Sequence, residues 1–428
     1  MTARRTRPKF DTPLISVEIC AGAGGQASGL HEAGFDHEAL VEWDAHAVET
    51  LKKNITSWPG WTKKKIDSLA PGDVRKFLES DDYKSIVSSG KKIDLLAGGV
   101  PCPPFSLAGK QLGPDDERDL FPDMLDIVEK LRPRAIMIEN VRGILEPPEM
   151  FIDYRREILD RLRELDYDVP KVKSTDSPQD QDRIMRRVWR RVDAKHFGVP
   201  QLRPRAILVA IHKDAVSDRE FAWPVKDDLA GETLRETLKK TMLPRYQAYW
   251  NAKPVPTVDL TGEQAYQRWH EKAEKAEKRG VTIAPTLVGG SRKHGGADLG
   301  PTRAKSAWAS LGVDGNGVAN EMAKCDPERD LFREDGPMLT VQQAAQIQGF
   351  RNWEFSGGKT AQYRQVGNAF PPPVAEAIGR SIAAVLRPEH REELIKGYSF
   401  TEDSAVDAAR MKVPGSLFSD TDANDTSA

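Results

Sequence analysis

Short apolar runs that alternate with helix-like segments constrain the fold of this chain most strongly. Five runs are typical of buried strands, and they occupy residues 15–20, 39–41, 93–97, 135–138 and 206–211. Such runs, separated by helical stretches, predict a mostly parallel sheet with helices on both faces. Sheets of this kind bind ligands at the carboxyl ends of their strands. We therefore expect an α/β domain as far as Ile211, with a site at that edge.

The run at 93–97 leads into a proline-rich stretch, Gly98-Gly99-Val100-Pro101-Cys102-Pro103-Pro104-Phe105-Ser106. Because proline fixes φ and removes backbone donors, this stretch cannot continue the strand or enter a helix. It should hold the Cys102 thiol at the carboxyl edge of the sheet, with the polar residues 107–119 as a lid. The competing interpretation is a buried structural cysteine. A nucleophilic thiol would need an activating partner.

A glycine-rich turn, Ala21-Gly22-Ala23-Gly24-Gly25, separates the first run from a helix-like stretch. Glycines let the backbone approach a ligand closely, and a helix N-terminus offers unpaired N–H groups, which favours a nucleotide-binding turn. Glu42 ends the second run at the distance where an acidic group meets ribose hydroxyls. Trp43 is a candidate for stacking on an adenine, although ordinary packing explains it equally well.

Two more polar groups adjoin later strands. Glu139, at the end of the run 135–138, should share the sheet edge with Cys102 and is its candidate partner as a proton donor. Capping, or pairing with an arginine, is the ordinary role of such a carboxylate. Alternating residues before the last run share one face of an extended segment that suits anions or base edges, and they are Gln201, Arg203 and Arg205.

Bulk composition narrows the class of protein. A formal net charge of -2 means that any nucleic-acid contact must come from local clusters. The three cysteines lack paired spacing, so we expect a reducing compartment, no disulfide framework and no metal site. Neither a signal peptide nor an apolar run of membrane-spanning length is present. We expect a cytoplasmic protein, associated with the nucleoid if the source is bacterial, and no membrane partner.

The pattern changes after Ile211. Residues 212–335 are irregular and rich in glycine and proline, apart from an exposed helix at 271–279, and they predict a separate domain. Thr340 should cap a helix that ends at Gln348, and a last helix should reach about Leu386. Residues 1–13 are predicted to be a loose arm. Five arginines between 183 and 191 are either phosphate contacts or a solvated face.

In this order the motifs resemble those of the DNA (cytosine-5) methyltransferases, over about residues 15 to 385. The resemblance rests on the glycine turn, Glu42-Trp43-Asp44 and the Pro-Cys stretch, followed by Glu139-Asn140-Val141, Gln201-x-Arg203-x-Arg205, Leu339-Thr340 with Gln348-Gly349-Phe350, and Gly367-Asn368-Ala369. Each motif alone is weak, whereas all of them in the family's order are specific. Two departures are Cys20, where the family usually has phenylalanine, and the glutamine-rich helix after Thr340.

The resemblance implies a Rossmann-like S-adenosylmethionine-dependent methyltransferase fold with a smaller, irregular target recognition domain. It implies a catalytic domain at 14–211, a recognition domain at 212–362, a returning catalytic segment at 363–390, and a polar, partly disordered tail at 391–428. S-adenosyl-L-methionine is the implied cofactor. Its implied binding residues are Ala21, Gly22, Gly24, Gly25, Glu42, Trp43, Asp73, Pro101 and Asn368.

The resemblance also implies the chemistry. The Cys102 thiolate attacks carbon 6 of a flipped-out cytosine, Glu139 holds ring nitrogen 3, and Arg205 supports both groups. Arg203 completes the implied catalytic set. The implied DNA contacts are Ser106, Gln201, Arg292 and Lys293. Double-stranded DNA is the expected partner. We expect the enzyme to act as a monomer in a restriction-modification system whose cognate endonuclease acts on the same site.

Three other functions compete with this one. A transfer-RNA cytosine-5 methyltransferase carries the same motifs, but that branch has a short variable region, unlike the long one before Leu339. A nicotinamide dehydrogenase would use the glycine turn but would leave Pro101-Cys102 and Glu139 unexplained. A non-catalytic DNA-binding relative would have no need of Cys102, Glu139 and Arg205.

Overall fold

A six-stranded sheet forms the centre of the computed structural model, which describes residues 6–101, 119–216, 220–227, 233–289 and 297–400. Its strands, in chain order, are β1 Leu14–Ile19, β2 Phe35–Val41, β3 Leu95–Gly99, β4 Ala135–Val141, β5 Trp189–Asp193 and β6 Pro204–Ile211. Across the sheet they lie in the order β2-β1-β3-β4-β6-β5. Strands β1 to β4 are parallel, which confirms the mostly parallel sheet. Strand β6 is the exception among the strands named in the sequence, because it is antiparallel to both β4 and β5. A short connection joins β5 to β6, whereas a parallel pair needs a long crossover.

Fifteen helices lie in the described ranges. They are α1 Gly25–Glu32, α2 Ala45–Asn54, α3 Lys63–Ser68, α4 Asp81–Ser89, α5 Phe121–Leu131, α6 Pro148–Glu164, α7 Pro178–Met185, α8 Leu234–Gln247, α9 Gly262–Lys278, α10 Thr302–Ser310, α11 Pro327–Asp330, α12 Val341–Gln348, α13 Lys359–Asn368, α14 Pro372–Leu386 and α15 Arg391–Ile395. Helices α1 and α14 cover one face of the sheet, and α5 and α6 cover the other. None of the helices in these ranges is long and apolar enough to cross a bilayer.

The region predicted to be irregular after Ile211 contains α8, α9 and α10. The predicted exposed helix at 271–279 is the second half of α9, which begins at a capping box formed by Thr261 and Gln264. One face of α9 is buried, because Trp269, Ala273 and Ala276 recur at helical spacing. The apolar cluster formed by α8, α9 and α10 continues into α12, α13 and α2, so this part of the chain shares its core with the layer beside the sheet.

Both ends of the described chain are attached to the sheet layers. The prediction of a loose arm is wrong for residues 6–13, because Arg7 donates to the carbonyl oxygens of His31 and Phe35 and pairs with Asp36. The described part of the predicted tail contains α15, followed by strand β8 Tyr398–Phe400. That strand pairs with β7 Pro224–Lys226, so the segment 220–227 also lies with α14 rather than with α8 to α10.

The arginines between 183 and 191 are engaged within the protein. Ion pairs join Arg183 to Asp180, Arg186 to Asp182, Arg187 to Asp168 and Arg191 to Glu146, and Arg190 stacks over Trp223. These contacts favour the ordinary surface role over a phosphate-binding cluster.

Close packing of α1 on α14 depends on glycine. A Cβ atom added at Gly29 would lie 2.6 Å from the Ala375 Cβ and even closer to the Pro372 carbonyl oxygen. Backbone cannot move aside as a flexible side chain can, so this approach excludes any side chain at Gly29.

We therefore expect Gly29→Ala to lower the free energy of unfolding by about 2 kcal/mol through overpacking. Urea denaturation of the purified protein measures the change. Gly143→Ala is the matched control, because no described atom lies within 4 Å of a Cβ added there. Equal losses in the two variants would contradict the packing explanation.

Candidate active site

The glycine turn after β1 has the geometry of a ligand-binding loop. Gly22 and Gly24 have φ angles of 55° and 84°, in the left-handed region that glycine tolerates best. Within the described part of the chain, nothing lies within 4 Å of a Cβ added at Gly22, so the turn is open on that side. Ala21 donates to the Val41 carbonyl oxygen at 3.0 Å. At Gly25 an added Cβ would meet the Phe370 carbonyl oxygen, so the returning segment lies against the start of α1.

The Glu42 carboxylate joins this turn to the end of β2. Its Oε2 accepts from the Gly22 N–H at 2.6 Å, and its Oε1 accepts from the Asp44 N–H at 2.8 Å. Burial raises the pKa of Glu42, although these backbone donors oppose the shift. The side chain of Trp43, the next residue along the chain, is 78% exposed. The buried carboxylate thus fixes the backbone while the adjacent indole is free to stack.

Asp73 lies beside this group, because the N–H of Gly72 donates to the Glu42 carbonyl oxygen at 2.8 Å. Asp73 caps a short 3-10 turn, and the hydrogen bonds from Arg75 lower its pKa. Burial, followed by the negative charges of Glu42, Asp73 and Asp123, raises the pKa of Cys20 to about 12. Cys20 is therefore a neutral thiol in an acidic pocket, and its φ of 51° belongs to the same tight turn.

The second half of the site lies where β3 and β4 end. Gly99 pairs in register with Glu139, whose Oε2 would be 3.4 Å from a Cβ added at Gly99. The Asn140 side chain donates to the Val100 carbonyl oxygen at 2.7 Å. The Pro101 carbonyl oxygen accepts from the Leu120 N–H at 3.3 Å. These contacts hold the chain on both sides of the segment 102–118. Cys102, Ser106 and most of the predicted lid lie in that segment, outside the described residues.

An ion pair joins β4 to β6 at the same edge. The Arg205 Nε lies 2.7 Å from the Glu139 Oε1, and both side chains are mostly buried. This pairing with an arginine is the ordinary role considered for Glu139. The same contact is the one through which Arg205 was expected to support Glu139. A carboxyl group held by a guanidinium on one oxygen keeps its other oxygen for a ligand.

Gln201 and Arg203 lie in the interior, which corrects two expectations. The Gln201 amide donates to Gln348 and accepts from the Leu287 N–H, so it faces the protein rather than a DNA groove. Arg203 is buried and donates to the carbonyl oxygens of Leu287, Gly367 and Ala369. The two side chains alternate as predicted, but the segments at Leu287, Gln348 and Gly367 cover the face on which they lie. The contacts of the Arg203 guanidinium in the described residues are with backbone carbonyl oxygens of the protein itself.

The remaining predicted residues are placed only in part. Asn368 is exposed at the end of α13, and its side chain lies against Gly289. Arg292 and Lys293 belong to the segment 290–296, outside the described residues. No group of three or more histidine, cysteine or acidic side chains that could hold a metal occurs in the ranges that are described.

Three contributors were missed by sequence reasoning. Asn140 holds the start of the Pro-Cys stretch, Gln348 donates to the Ala369 carbonyl oxygen, and residues 287–289 line the turn at Asn368. Asn140 and Gln348 belong to motifs named in the sequence analysis. Their places in the sequence could therefore be identified, but their hydrogen-bond partners could not be predicted. The segment 287–289 carried no signal of its own.

Comparison with known proteins assigns the family. The family model of the C-5 cytosine-specific DNA methylases matches residues 14–384. Type II methyltransferase M.NaeI of Lentzea aerocolonigenes is 46% identical over 378 residues, covering 88% of this chain and 76% of that protein. Type II methyltransferase M.NgoMIV of Neisseria gonorrhoeae is 39% identical over 382 residues, covering 88% and 99%.

A solved structure has the same fold. The Dnmt2 methyltransferase of S. pombe superposes with a TM-score of 0.50 at 15% identity, covering 88% of this chain and 99% of that one. The likeness of fold agrees with the mostly parallel sheet and its two helical layers. With the family match extending over most of the sequence, the chain belongs to the C-5 cytosine-specific DNA methylases, enzymes that methylate carbon 5 of cytosine in DNA.

Proposed function

We propose that this chain transfers a methyl group from S-adenosyl-L-methionine to carbon 5 of one cytosine in a specific double-stranded DNA sequence. The observation that carries the proposal is the Glu139–Arg205 ion pair beside Gly99, at the strand end that leads directly to Cys102. It supports a cytosine site adjacent to the glycine turn, since β1 and β3 are neighbours and both end at this edge.

The residues around the glycine turn fit the cofactor. Gly22 leaves the turn open for the methionine moiety, Trp43 offers an exposed indole for the adenine, and Glu42 retains acceptor capacity for ribose hydroxyls. Asp73 is the proposed acceptor for the adenine amino group, with Pro101 and Asn368 completing the pocket. When bound, the cofactor supplies an electrophilic methyl group.

The chain's own residues then activate the cytosine. The Cys102 thiolate adds to carbon 6, and the electron density released into the ring makes carbon 5 nucleophilic. Glu139, protonated, donates to ring nitrogen 3 as negative charge develops there, while Arg205 holds the Glu139 carboxyl in place. After methyl transfer a base removes the proton on carbon 5, the ring electrons return, and the thiolate leaves.

Access to the ring requires the cytosine to leave the duplex, at a cost of a few kcal/mol. We propose that the region of α8 to α10 reads the flanking bases, and that Ser106, Arg292 and Lys293 contact the DNA. Gln201 is not part of this proposed set, because its amide is engaged inside the protein. Its contacts support a role in joining the recognition region to the sheet.

We further propose that methylation protects DNA from a cognate restriction endonuclease. The two similar proteins named above are both Type II methyltransferases, which supports this setting. A single chain carries both the chemistry and the recognition region, so we propose that it acts as a monomer. A DNA substrate would place the reaction in the cytoplasm, at the nucleoid in a bacterium.

The first test is transfer of labelled methyl from S-adenosylmethionine to unmethylated genomic DNA and to total transfer RNA. We expect label at carbon 5 of cytosine in DNA, in one sequence context revealed by sequencing. Cys102→Ser should reduce the rate to background, because a hydroxyl is a far weaker nucleophile than a thiolate. Label in transfer RNA alone would assign the RNA activity, and label in neither substrate would favour a binding relative.

Glu139→Gln tests the proton donor. The amide keeps the shape of the carboxyl but cannot give up a proton, so we expect kcat to fall by about 10²–10⁴. Asp94→Asn is the matched control, because Asp94 forms a similar pair with Arg134, at 2.9 Å, beside the opposite end of β4. Its variant should change stability but leave kcat near that of the wild type. Equal losses of kcat would argue against a chemical role for Glu139.

Trp43→Ala tests the adenine platform. Loss of one stacking surface should raise the KM for S-adenosylmethionine about tenfold, with kcat at saturation little changed. Since the Trp43 side chain is largely exposed, the melting temperature should stay constant. Trp43→Phe should recover most of the affinity, and an unchanged KM in Trp43→Ala would place the adenine elsewhere.

A further inference from the structure

We propose that Trp353 is a positioning residue for the cofactor, although it lies 330 residues beyond the turn that it supports. Its indole Nε1 donates to the Ala23 carbonyl oxygen at 2.9 Å, and both groups are buried. The inference rests on the proposed function, because the glycine turn is the proposed seat of the methionine moiety. It adds a residue from outside the motifs that carried the resemblance.

The Ala23 carbonyl lies just before the helical hydrogen-bond ladder. The first bond that enters α1 runs from the Ser28 N–H to the Gly24 carbonyl oxygen. A buried backbone carbonyl that loses its donor costs free energy, so the turn is stabilised in the orientation that the indole selects. The Gly22 N–H on the other side of Ala23 is held by Glu42. The peptide groups of the turn are therefore fixed from two directions.

The indole ring also supports the turn by contact. A Cβ added at Gly24 would lie 2.9 Å from the Trp353 Cζ2 and 2.7 Å from the Leu51 Cδ2. This packed side of Gly24 contrasts with the open side at Gly22. Trp353 in turn packs against Trp58 and Phe350, with ring centroids 6.2 Å and 5.9 Å away. The ring therefore forms part of a rigid wall behind the proposed pocket.

The segment that carries Trp353 is clamped to α2. The Asn54 side chain accepts from the Glu354 N–H at 2.9 Å and donates to the Glu354 carbonyl oxygen at 2.8 Å. Thr50 accepts from the Ser356 N–H at 2.8 Å and donates to Gln365 at 2.6 Å. These bonds restrict the segment on the far side of the indole, so Trp353 has a fixed base from which to hold Ala23.

Trp353→Phe tests the proposal, because it keeps an aromatic ring and removes the donor. We expect the Kd for S-adenosylmethionine, measured by calorimetry without DNA, to rise about fivefold, since a neutral hydrogen bond is lost. The KM for S-adenosylmethionine should rise in parallel, while kcat at saturating cofactor changes less than about twofold. This split separates positioning from general loss of structure.

Trp61→Phe is the matched control. Trp61 is also buried, and its indole also donates at 2.9 Å to a backbone carbonyl, that of His37. It should therefore lower the melting temperature about as much as Trp353→Phe does, but leave the Kd for S-adenosylmethionine unchanged. Equal values of Kd in the two variants would overturn the proposal.

Asn54→Ala provides a second variant on a partly exposed residue, in case Trp353→Phe does not fold. Releasing Glu354 should loosen the Trp353 segment and weaken cofactor binding in the same direction. An unchanged Kd in this variant would then refute the positioning role. Measurement of the wild type distinguishes failure of the Trp353 proposal from failure of the proposed function, because a wild type that does not bind S-adenosylmethionine contradicts the proposed function itself.

Discussion

The arrangement of the site depends on the hydrogen bonds of the buried Arg203 guanidinium. It donates to carbonyl oxygens of Leu287, Gly367 and Ala369, and thereby joins β6 to two segments that are distant along the chain. Burial and the nearby Arg205 lower the pKa of Arg203, whereas Glu139 and the three carbonyl oxygens favour its charged form. Removing the side chain would take the described donor away from the carbonyl oxygens of Leu287 and Gly367, whereas Gln348 would still donate to that of Ala369. The segment at Leu287, the turn after α13 and the start of β6 therefore share one polar contact.

The carboxyl ends of β1 and β3 form two adjacent parts of the proposed site at one edge of the sheet. The end of β1 turns through glycines that Glu42 holds, and the end of β3 leads past Glu139 toward Cys102. Because β1 and β3 are adjacent, the proposed methyl donor and the proposed cytosine site are separated by about one strand spacing. The sheet sets this separation, and the loops supply the chemical groups.

Sequence reasoning predicted the strand-end residues well, for a physical reason. Apolar runs identify buried parallel strands, and the carboxyl ends of such strands converge, so Glu42 and Glu139 could be placed at the correct edge from their positions alone. Burial of Gln201 and Arg203 could not be predicted. Their alternation assigns a shared face but does not show what covers it. The cover consists of Leu287 and Gly367, which are remote in the chain.

The same limit applies outside the site. The polar composition of residues 6–13 concealed the fact that Arg7 finds backbone carbonyls as partners. The helices α8 and α10 were not predicted, because the connections around them are rich in glycine and proline and made the whole region look irregular. Trp353 lay between recognised motifs, so only the folded chain shows that its indole meets Ala23.

The packing of α14 on α1 has a consequence for how the chain folds during translation. Helix α1 and strands β1 to β4 belong to the first third of the chain, yet α14, at residues 372–386, covers the face that they share. During translation that apolar face remains uncovered until α14 has been made, long after β4. A chain that stops before α14 would expose apolar surface on α1 and the sheet, and exposed apolar surface of this kind promotes aggregation.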